Sequence, residues 1–442
     1  MSSSIRPSYE SRNSLRHSAW SLPTYNSRAP SAERSQAPRG GEHTYTLGSS
    51  TNRPWLTLTM ASRSPDKNLL PLFYEGDLIT GTVSLDLKSK EPIREISVTL
   101  QGLILGAGQD LEPYTFLSVP ETLWAQENGK ISGTYSWSFS INVPHEVDIP
   151  GNAQTPAKSY PLPPRFSERG SQAHIDYRIV VSVRRRRFSA DSTLFTPIVY
   201  LPYSIAGIPS PKRQAAYRSG VLPPGPSADP EGWKILPSCE TIGKLLPARS
   251  ASISIHCRLA IAQPLSFAAS TCIPLQVSLR APDSHVANML TRDSILVQLV
   301  RTLDIQDFTP TRRSMSFHDV MSEGVFWPAP DDRSSPGERR FFGEIPLRKK
   351  LTSSFDFSKL SVNYKIALFP IRAPKYTVAL PDEPLISEPV EITLRNPHGI
   401  SPRSYSPPES PLSSGLSPYH RDASRRYERS SYLGFPSVGG FD

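Results

Sequence analysis

Four consecutive arginines, Arg184, Arg185, Arg186 and Arg187, are the most pronounced chemical feature of the sequence. They follow directly on residues 175–183, where apolar and polar residues alternate, so successive arginines should point to opposite faces at a strand end. A guanidinium group can donate two parallel hydrogen bonds to one phosphate or carboxylate group. The run predicts a binding site for phosphorylated or acidic tails of membrane proteins, or for anionic lipid. The alternative is a solvated charge run that blocks edge pairing.

Three serines beside basic residues are candidate phosphorylation sites. Ser189 ends the sequence Arg-Arg-Phe-Ser, which is typical of basophilic kinase substrates, and a phosphoryl group there would invert the local charge. Ser314 and Ser316 follow a pair of arginines in a predicted loop. An exposed basic loop that is never modified accounts for this second pair equally well.

A short motif near the start, Leu22-Pro23-Thr24-Tyr25, matches the Leu-Pro-x-Tyr form of a WW-domain ligand. Proline favours the extended left-handed helix that such domains bind, and the tyrosine fills their aromatic groove. Leu22, Pro23 and Tyr25 are therefore predicted ligand residues. The stronger Pro-Pro-x-Tyr form does not occur in the chain, which weakens this interpretation.

The sequence carries no recognisable catalytic or metal-binding constellation. It has no Gly-x-Ser-x-Gly elbow, phosphate-binding loop or His-Glu-x-x-His motif. Its three cysteines, Cys239, Cys257 and Cys272, form no Cys-x-x-Cys pair, and the neighbouring His256 does not complete a zinc site. We expect free thiols in a reducing compartment, no metal, no cofactor and no enzymatic activity. A β-sandwich hydrolase is the alternative, because such folds also host hydrolases.

The formal net charge of +9 is spread over 442 residues. Basic residues interleaved with aromatics on one face, which characterise nucleic-acid binders, are absent, so nucleic acid is not an expected partner. The first residues lack the apolar block of a secretory signal, and no stretch is apolar enough to span a bilayer. A transit peptide is an alternative for the Arg/Ser-rich start, although Pro7 and Pro23 interrupt a helix there. A cytoplasmic location is expected.

The elements that must position these residues are β-strands. Apolar residues recur at every second position in several segments, which is typical of antiparallel sheets with one buried face: residues 56–60, 83–87, 96–100, 135–143, 175–183 and 253–261. The best helix candidate is 283–291. These patterns predict an all-β protein built from antiparallel β-sandwiches.

Composition divides the chain into five parts. The ends, 1–52 and 398–442, are rich in Ser, Arg and Pro and are predicted to be disordered tails. Two strand-rich blocks, 53–205 and 237–397, are separated by a Pro/Gly-rich linker, 206–236. Whether the second block closes as a sandwich is open at this stage, because 304–340 could be a long insertion.

The two blocks repeat one another. Phe73 and Phe267 stand at the same distance before a Val-Ser-Leu strand, and two further pairs of segments match in the same order: 175–179 with 362–366, and 196–198 with 388–390. Near-equal separations in unchanged order predict one architecture occurring twice.

Motifs in the first block resemble those of the arrestin superfamily, and more closely the α-arrestins, which are arrestin-related trafficking adaptors. The resemblance rests on four segments covering most of 52–205: 73–83 with its Gly-Asp and Gly, 93–102 ending in Gly, 133–144, and 162–166 with 175–177. It is looser over 237–397.

The resemblance implies two tandem arrestin-like sandwiches, N-terminal-like and C-terminal-like. It further implies an adaptor that links cytoplasmic tails of membrane-protein cargo to endocytic sorting and to a WW-domain ubiquitin ligase. Such an adaptor would be recruited from the cytoplasm to the plasma membrane or endosomes, with transient contact to anionic membrane. A retromer-like or structural scaffold without ubiquitin coupling is the alternative.

Overall fold

The computed structural model of the chain describes residues 40–48, 54–106, 113–126, 130–151, 156–168, 171, 173–186, 189–245, 252–306, 315–330 and 337–407. Antiparallel β-strands dominate these residues and form two tandem sandwiches, which confirms the predicted fold class. Apolar and polar residues alternate along the strands, and the apolar residues form the core of each sandwich. In β2, for example, Leu56, Leu58 and Met60 point inward and are fully buried, while Thr57 and Thr59 face outward.

The first sandwich has one sheet of order β1-β2-β4-β7, a second of order β3-β11-β10-β5-β6, and a ribbon formed by β8 and β9. Its strands are β1 (Glu42–Leu47), β2 (Leu56–Ala61), β3 (Leu72–Tyr74), β4 (Leu78–Glu91), β5 (Ile93–Gly106), β6 (Tyr114–Ala125), β7 (Ile131–Asn142), β8 (Glu146–Ile149), β9 (Lys158–Pro161), β10 (Ala173–Arg185) and β11 (Ser192–Leu201).

The second sandwich follows a helix, α1 (Pro211–Ser219), and contains a second helix, α2 (Ser284–Met289). Its strands are β12 (Trp233–Ile235), β13 (Cys239–Leu245), β14 (Ser252–Ala262), β15 (Ser266–Ala268), β16 (Cys272–Arg280), β17 (Val297–Ile305), β18 (Met315–Glu323), β19 (Val325–Pro328), β20 (Glu338–Pro346), β21 (Phe355–Phe357), β22 (Leu360–Leu368), β23 (Tyr376–Val378) and β24 (Ile386–Thr393).

Both sheets of the second sandwich are complete. One has the order β19-β20-β16-β14-β13-β23, with β12 also on β14, and the other has the order β15-β24-β22-β17-β18, with β21 on β22. The segment 304–340 is therefore not a plain insertion, because β18 and β19 lie within it and pair in the two sheets. The helix predicted at 283–291 is confirmed as α2, whose first turn is capped by Asp283.

Strand order confirms the internal repeat. In both sandwiches one sheet begins with a three-residue strand that pairs in parallel, β3 on β11 and β15 on β24, although the surrounding pairings are antiparallel. Phe73 and Phe267 occupy these two strands. The other matched segments also fall in equivalent strands, β10 with β22 and β11 with β24.

The segment predicted as a linker, 206–236, is an ordered part of the fold. Ser210 caps α1 by accepting a hydrogen bond from the backbone N–H of Arg213, and Pro211 occupies the first turn. The Arg213 side chain is only 2% exposed; it donates to the backbone oxygens of Gln263 and Gly232 and lies 4.9 Å from the Trp233 ring. The Pro/Gly-rich composition did not reveal this helix, because its stability comes from burial of Arg213 rather than from an apolar stripe.

Described structure lies inside both segments that were predicted to be disordered tails. Strand β1 lies inside 1–52, where His43 is buried and its Nε2 is 2.9 Å from Ser62 Oγ. It was missed because its inward positions carry His and Tyr instead of aliphatic residues. At the other end, Ser404 and Tyr405 bind the Glu344 carboxylate of β20. The described residues of the fold therefore extend beyond both predicted boundaries.

An aromatic cluster joins the two sandwiches within one compact unit, Ala37–Asp442. Phe357 of β21 is fully buried, and its ring centroid lies 4.8 Å from Phe116 and 5.6 Å from Tyr160, both in the first sandwich. Phe355 makes a similar edge contact with Phe166 at 6.0 Å. The hydrophobic core is continuous across the junction.

A charged contact accompanies this cluster. Arg301 of β17, almost fully buried, donates through Nη1 to both carboxylate oxygens of Glu168 in the first sandwich, each at 2.7 Å. Its Nη2 donates to Asp319 of β18 at 2.7 Å. Two carboxylates thus neutralise one buried guanidinium at the junction, which makes its burial tolerable.

The stability of this fold should depend on the protonation of Glu344. Because burial raises the pKa of Glu344 above the ordinary value of 4.5, the folded state holds its proton more tightly than the unfolded state. Its contribution is therefore complete below 4.5 and is lost as the pH rises through the raised folded pKa. The free energy of unfolding of the wild type should fall relative to that of Glu344→Gln as the pH rises above the ordinary pKa of 4.5. Parallel denaturant titrations of the two proteins check this; a constant difference would contradict it.

Candidate functional site

The predicted arginine site lies at the turn between β10 and β11. A register irregularity in the pairing of β10 with β5 falls between Arg184 and Arg185, so the two side chains have different surroundings. The Arg184 side chain is 61% exposed, and its nearest carboxylate is that of Glu95 on β5, at 3.6 Å. An exposed ion pair at this distance contributes little, so Arg184 is available to another anion.

The side chain of Arg185 is used in contacts that stabilise the turn. Its Nε donates to Glu91 at the end of β4 at 2.8 Å, and its Nη1 donates to the Ala190 carbonyl and to Ser192 Oγ, both at 2.8 Å. The guanidinium also lies 5.3 Å from the ring centroid of Trp55, a cation–π distance. With only 12% of its side chain exposed, Arg185 holds the turn together and is not a free anion acceptor. The four-arginine prediction is corrected in this respect.

Arg186 follows the end of β10 and is half-buried. Its backbone N–H donates to the Pro92 carbonyl at 3.0 Å, which fixes the turn against the connection between β4 and β5. Within the described residues its Nη2 has no hydrogen-bond partner. Arg187 lies outside the described residues. Arg184 is thus openly exposed to an anion, and Arg186 keeps an Nη2 that has no partner in the described residues and is itself buried.

Further cations flank the turn. Lys88 and Lys90 near the end of β4, and Arg94 at the start of β5, are exposed. Ser189 lies within the turn itself, with its backbone N–H donating to the Arg186 carbonyl at 3.1 Å. A phosphoryl group on Ser189 would therefore compete for the arginines that a bound anion needs.

A free strand edge lies at the same end of the sandwich. In the described part of the chain β1 pairs only with β2, which leaves the backbone groups of its other edge without a strand. The Leu47 carbonyl at the end of β1 accepts from the Trp55 backbone N–H at 3.2 Å. This bond belongs to the edge that β1 shares with β2, and Trp55 also packs on Arg185, so the end of β1 lies near the arginine turn.

We name the exposed side chain of Arg184 and the half-buried side chain of Arg186, together with the free edge of β1, the arginine–edge site. An extended peptide could pair its backbone with β1 while placing an acidic group at the arginines. Glu91 and Trp55, which build this site, were not found from the sequence. They lie 94 and 130 residues from Arg185, so no local spacing links them to it.

The other predicted residues lie elsewhere or are not described. Ser316 is exposed on β18, where its Oγ donates to Asp304 at 2.5 Å. Ser314 and the predicted WW-domain ligand, Leu22, Pro23 and Tyr25, lie outside the described residues. Ser316 belongs to the second sandwich and is not part of the arginine–edge site.

Among the described residues, no three His, Cys, Asp or Glu side chains are grouped closely enough to hold a metal ion. The same part of the chain contains no helix with the length and apolar character needed to cross a membrane. Cys239, Cys257 and Cys272 are free thiols, as predicted, and Cys239 stands directly opposite Cys257 in the β13–β14 pair.

No protein-family model matches the chain, and no curated protein matches its sequence significantly.

Proposed function

We propose that this chain is a non-enzymatic adaptor of the arrestin type that binds anionic, extended segments in the cytoplasmic tails of membrane proteins. The observation that carries the proposal is the arginine–edge site: the turn that carries Arg184 and Arg186 packs through Arg185 on Trp55 at the end of β1, and the outer edge of β1 has no strand partner in the described residues. An edge strand supplies backbone hydrogen bonds irrespective of sequence, and guanidinium groups supply the preference for phosphate or carboxylate.

Electrostatics favour a phosphorylated ligand over a simple acidic one. A phosphoserine carries nearly two negative charges and three acceptor oxygens, whereas Glu95 offers Arg184 one carboxylate at 3.6 Å. Exposed pairs of the latter kind are worth about 0–1 kcal/mol, so displacing Glu95 costs little. Lys88, Lys90 and Arg94 add positive potential that would speed the encounter.

In this proposal the adaptor acts from the cytoplasm and is recruited to the plasma membrane or endosomes by its cargo, with the basic turn free to contact anionic lipid transiently. A scaffold without ubiquitin coupling is the second proposal. It is supported by the aromatic junction around Phe357, which packs the two sandwiches against one another.

The binding proposal is tested with the full chain and a fluorescein-labelled extended peptide, with and without two phosphoserines, by fluorescence anisotropy. The double variant Arg184→Glu/Arg186→Glu should bind the phosphorylated peptide at least about tenfold more weakly, since each lost charge-assisted contact is worth about 1.4 kcal/mol or more. Wild-type affinity should also fall as salt is raised.

The matched control is Arg258→Glu/Arg280→Glu, which makes the same charge change at two exposed arginines on β14 and β16. Equal weakening by both double variants would mean that only net charge matters and would refute the site. Equal binding of the phosphorylated and unphosphorylated peptides would refute the preference for phosphate.

Ligase recruitment rests on Tyr25 and is tested separately. Capture of the full chain by immobilised WW domains of ubiquitin ligases should be lost in Tyr25→Ala, because the aromatic groove of the domain loses its ligand. The control is Tyr9→Ala, which changes another N-terminal tyrosine outside the motif. Unchanged capture by Tyr25→Ala would remove the ubiquitin branch and leave the scaffold proposal in place.

A further inference from the structure

Residues 401–407, which we call the C-terminal strap, lie on the outer face of the sheet that contains β16 and β20. Successive side chains of β16 and β20 point to opposite faces of the sheet. Because Ile273, Leu275 and Ile345 point into the core, Cys272 and Glu344 face the strap. The Arg403 carbonyl accepts a hydrogen bond from Cys272 Sγ at 3.5 Å. The strap is therefore a defined part of the surface of the second sandwich.

The strap supplies the hydrogen bonds of a buried carboxylate. Glu344 is only 4% exposed, and its two oxygens accept from Ser404 Oγ and from the Tyr405 backbone N–H, each at 2.7 Å. No ion pair reaches Glu344 from the described residues. Tyr217 of α1 and Cys272 border the carboxylate and are neutral. The hydrogen bonds of Glu344 thus come mainly from the strap, with the Cys272 thiol of β16 beside it, and burial already raises its pKa.

We propose that Ser404 is a phosphorylation site and that its phosphorylation releases the C-terminal strap from Glu344. The co-substrates are a protein kinase and a nucleoside triphosphate. The bond from the γ-phosphorus to the bridging oxygen breaks, and its electron pair stays on the nucleoside diphosphate. A new bond forms between that phosphorus and Ser404 Oγ, and the hydroxyl proton passes to solvent.

The modification would reverse the interaction at Ser404. The hydroxyl loses the proton that it donates to Glu344, and nearly two negative charges take its place within hydrogen-bond distance of a buried negative charge. Like charges this close at a partly buried site disfavour the docked strap by about a hundredfold or more. The docked and released states are therefore separated by one local change of charge.

Ser404 is better placed for this role than the neighbouring serine of the strap. It is exposed as a residue, whereas Ser406 is half-buried and its Oγ is enclosed without a partner among the described residues. Ser401 is exposed but makes no described contact with Glu344. Ser404 thus combines access for a kinase with a direct bond to the carboxylate.

Release is measured in the full chain by hydrogen exchange. Phosphoserine is installed at position 404 by genetic code expansion, and the same residue at position 401 serves as the control. The Tyr405 amide, which donates to Glu344, should exchange at least about tenfold faster with phosphoserine at 404 than in wild type, and the 401 control should remain close to wild type. Equal exchange in the two phosphorylated proteins would overturn the proposal.

Two further measurements keep the proposal refutable. Ser404→Asp should speed exchange of the strap in the wild-type background but have a much smaller effect together with Glu344→Gln, because the repulsion needs both charges. An undiminished effect in the double variant would overturn the mechanism.

Incubation of the folded chain with a cytosolic extract and ATP, followed by mass spectrometry, should place phosphate on Ser404. Modification of other serines while Ser404 stays unmodified would overturn the assignment of the site.

Discussion

Replacing Phe357 with alanine is expected to lower the free energy of unfolding by about 3–5 kcal/mol, the range for large-to-small substitutions of a buried phenylalanine. The ring is fully buried at the junction of the two sandwiches, with Phe116 and Tyr160 against it. Its removal leaves a cavity lined by groups from both sandwiches, and neither side can collapse without moving the other. Denaturant-induced unfolding of the full chain, followed by far-UV circular dichroism, measures the change.

The matched control is Phe195→Ala on β11, because Phe195 is 58% exposed and its loss opens no cavity. We expect a change of about 1 kcal/mol or less there. If the Phe357 and Phe195 variants lost the same small amount, the aromatic junction would not hold the sandwiches together. A second, separate unfolding transition in Phe357→Ala alone would indicate that the junction couples them.

Replacing Arg213 with alanine is expected to lower the free energy of unfolding by about 3 kcal/mol. The backbone carbonyls of Gln263 and Gly232 each lose a charged donor, although the Gly232 carbonyl keeps the Gln263 N–H at 2.8 Å, and Trp233 loses the guanidinium that packs on it. A hydrogen bond from a charged donor is worth about 1.5–3 kcal/mol, and the loss of two such bonds is partly offset because the cation itself no longer needs to be desolvated.

The control for Arg213 is Arg218→Ala, which removes an exposed arginine from the last turn of the same helix. Arg213→Lys should fall between Arg213→Ala and wild type, because an ammonium keeps the charge but cannot reach both carbonyls with a planar fork. Equal stability of the Arg213 and Arg218 variants, measured by the same denaturant titration, would show that the linker helix is not anchored through Arg213.

Period-2 alternation made most of the strands predictable. Residues 135–143 and 175–183 carry long, regular alternation because each strand buries one complete face, and they form β7 and β10. The repeat was predictable for the same reason: equivalent strands face equivalent cores. It remained visible in Phe73 and Phe267 because both occupy short parallel strands that pack at the core.

Elements that depend on partners distant in sequence were not predictable. Strand β1 buries His43 against Ser62, an arrangement with no apolar signature. Helix α1 buries an arginine, whereas composition alone predicts that an arginine is exposed to solvent. The strap binds Glu344 across 60 residues. In each case a polar group is buried because a particular partner satisfies it, and the partner is known only once the chain has folded.

The chemistry of the candidate site was predictable from the sequence, but the different roles of its arginines were not. Four adjacent arginines look equivalent in the sequence. In the fold, Arg185 pairs with Glu91 and stacks on Trp55, while Arg184 faces solvent beside Glu95. The change of register at this point of β10 separates their roles, and such irregularities leave no mark in an unbroken run of one residue type.

The central claim, that an anionic extended peptide binds at the arginine–edge site, is tested most directly by hydrogen exchange of β1. The full chain is saturated with a phosphorylated peptide, and exchange is compared with that of the free chain and of Arg184→Glu/Arg186→Glu. The backbone N–H groups of Glu42–Leu47 that point away from β2 should exchange at least about tenfold more slowly when the peptide is bound, because an added strand accepts their hydrogen bonds. The double variant should lose this protection. Unchanged exchange in β1 at saturation, or protection confined to the second sandwich, would contradict the account.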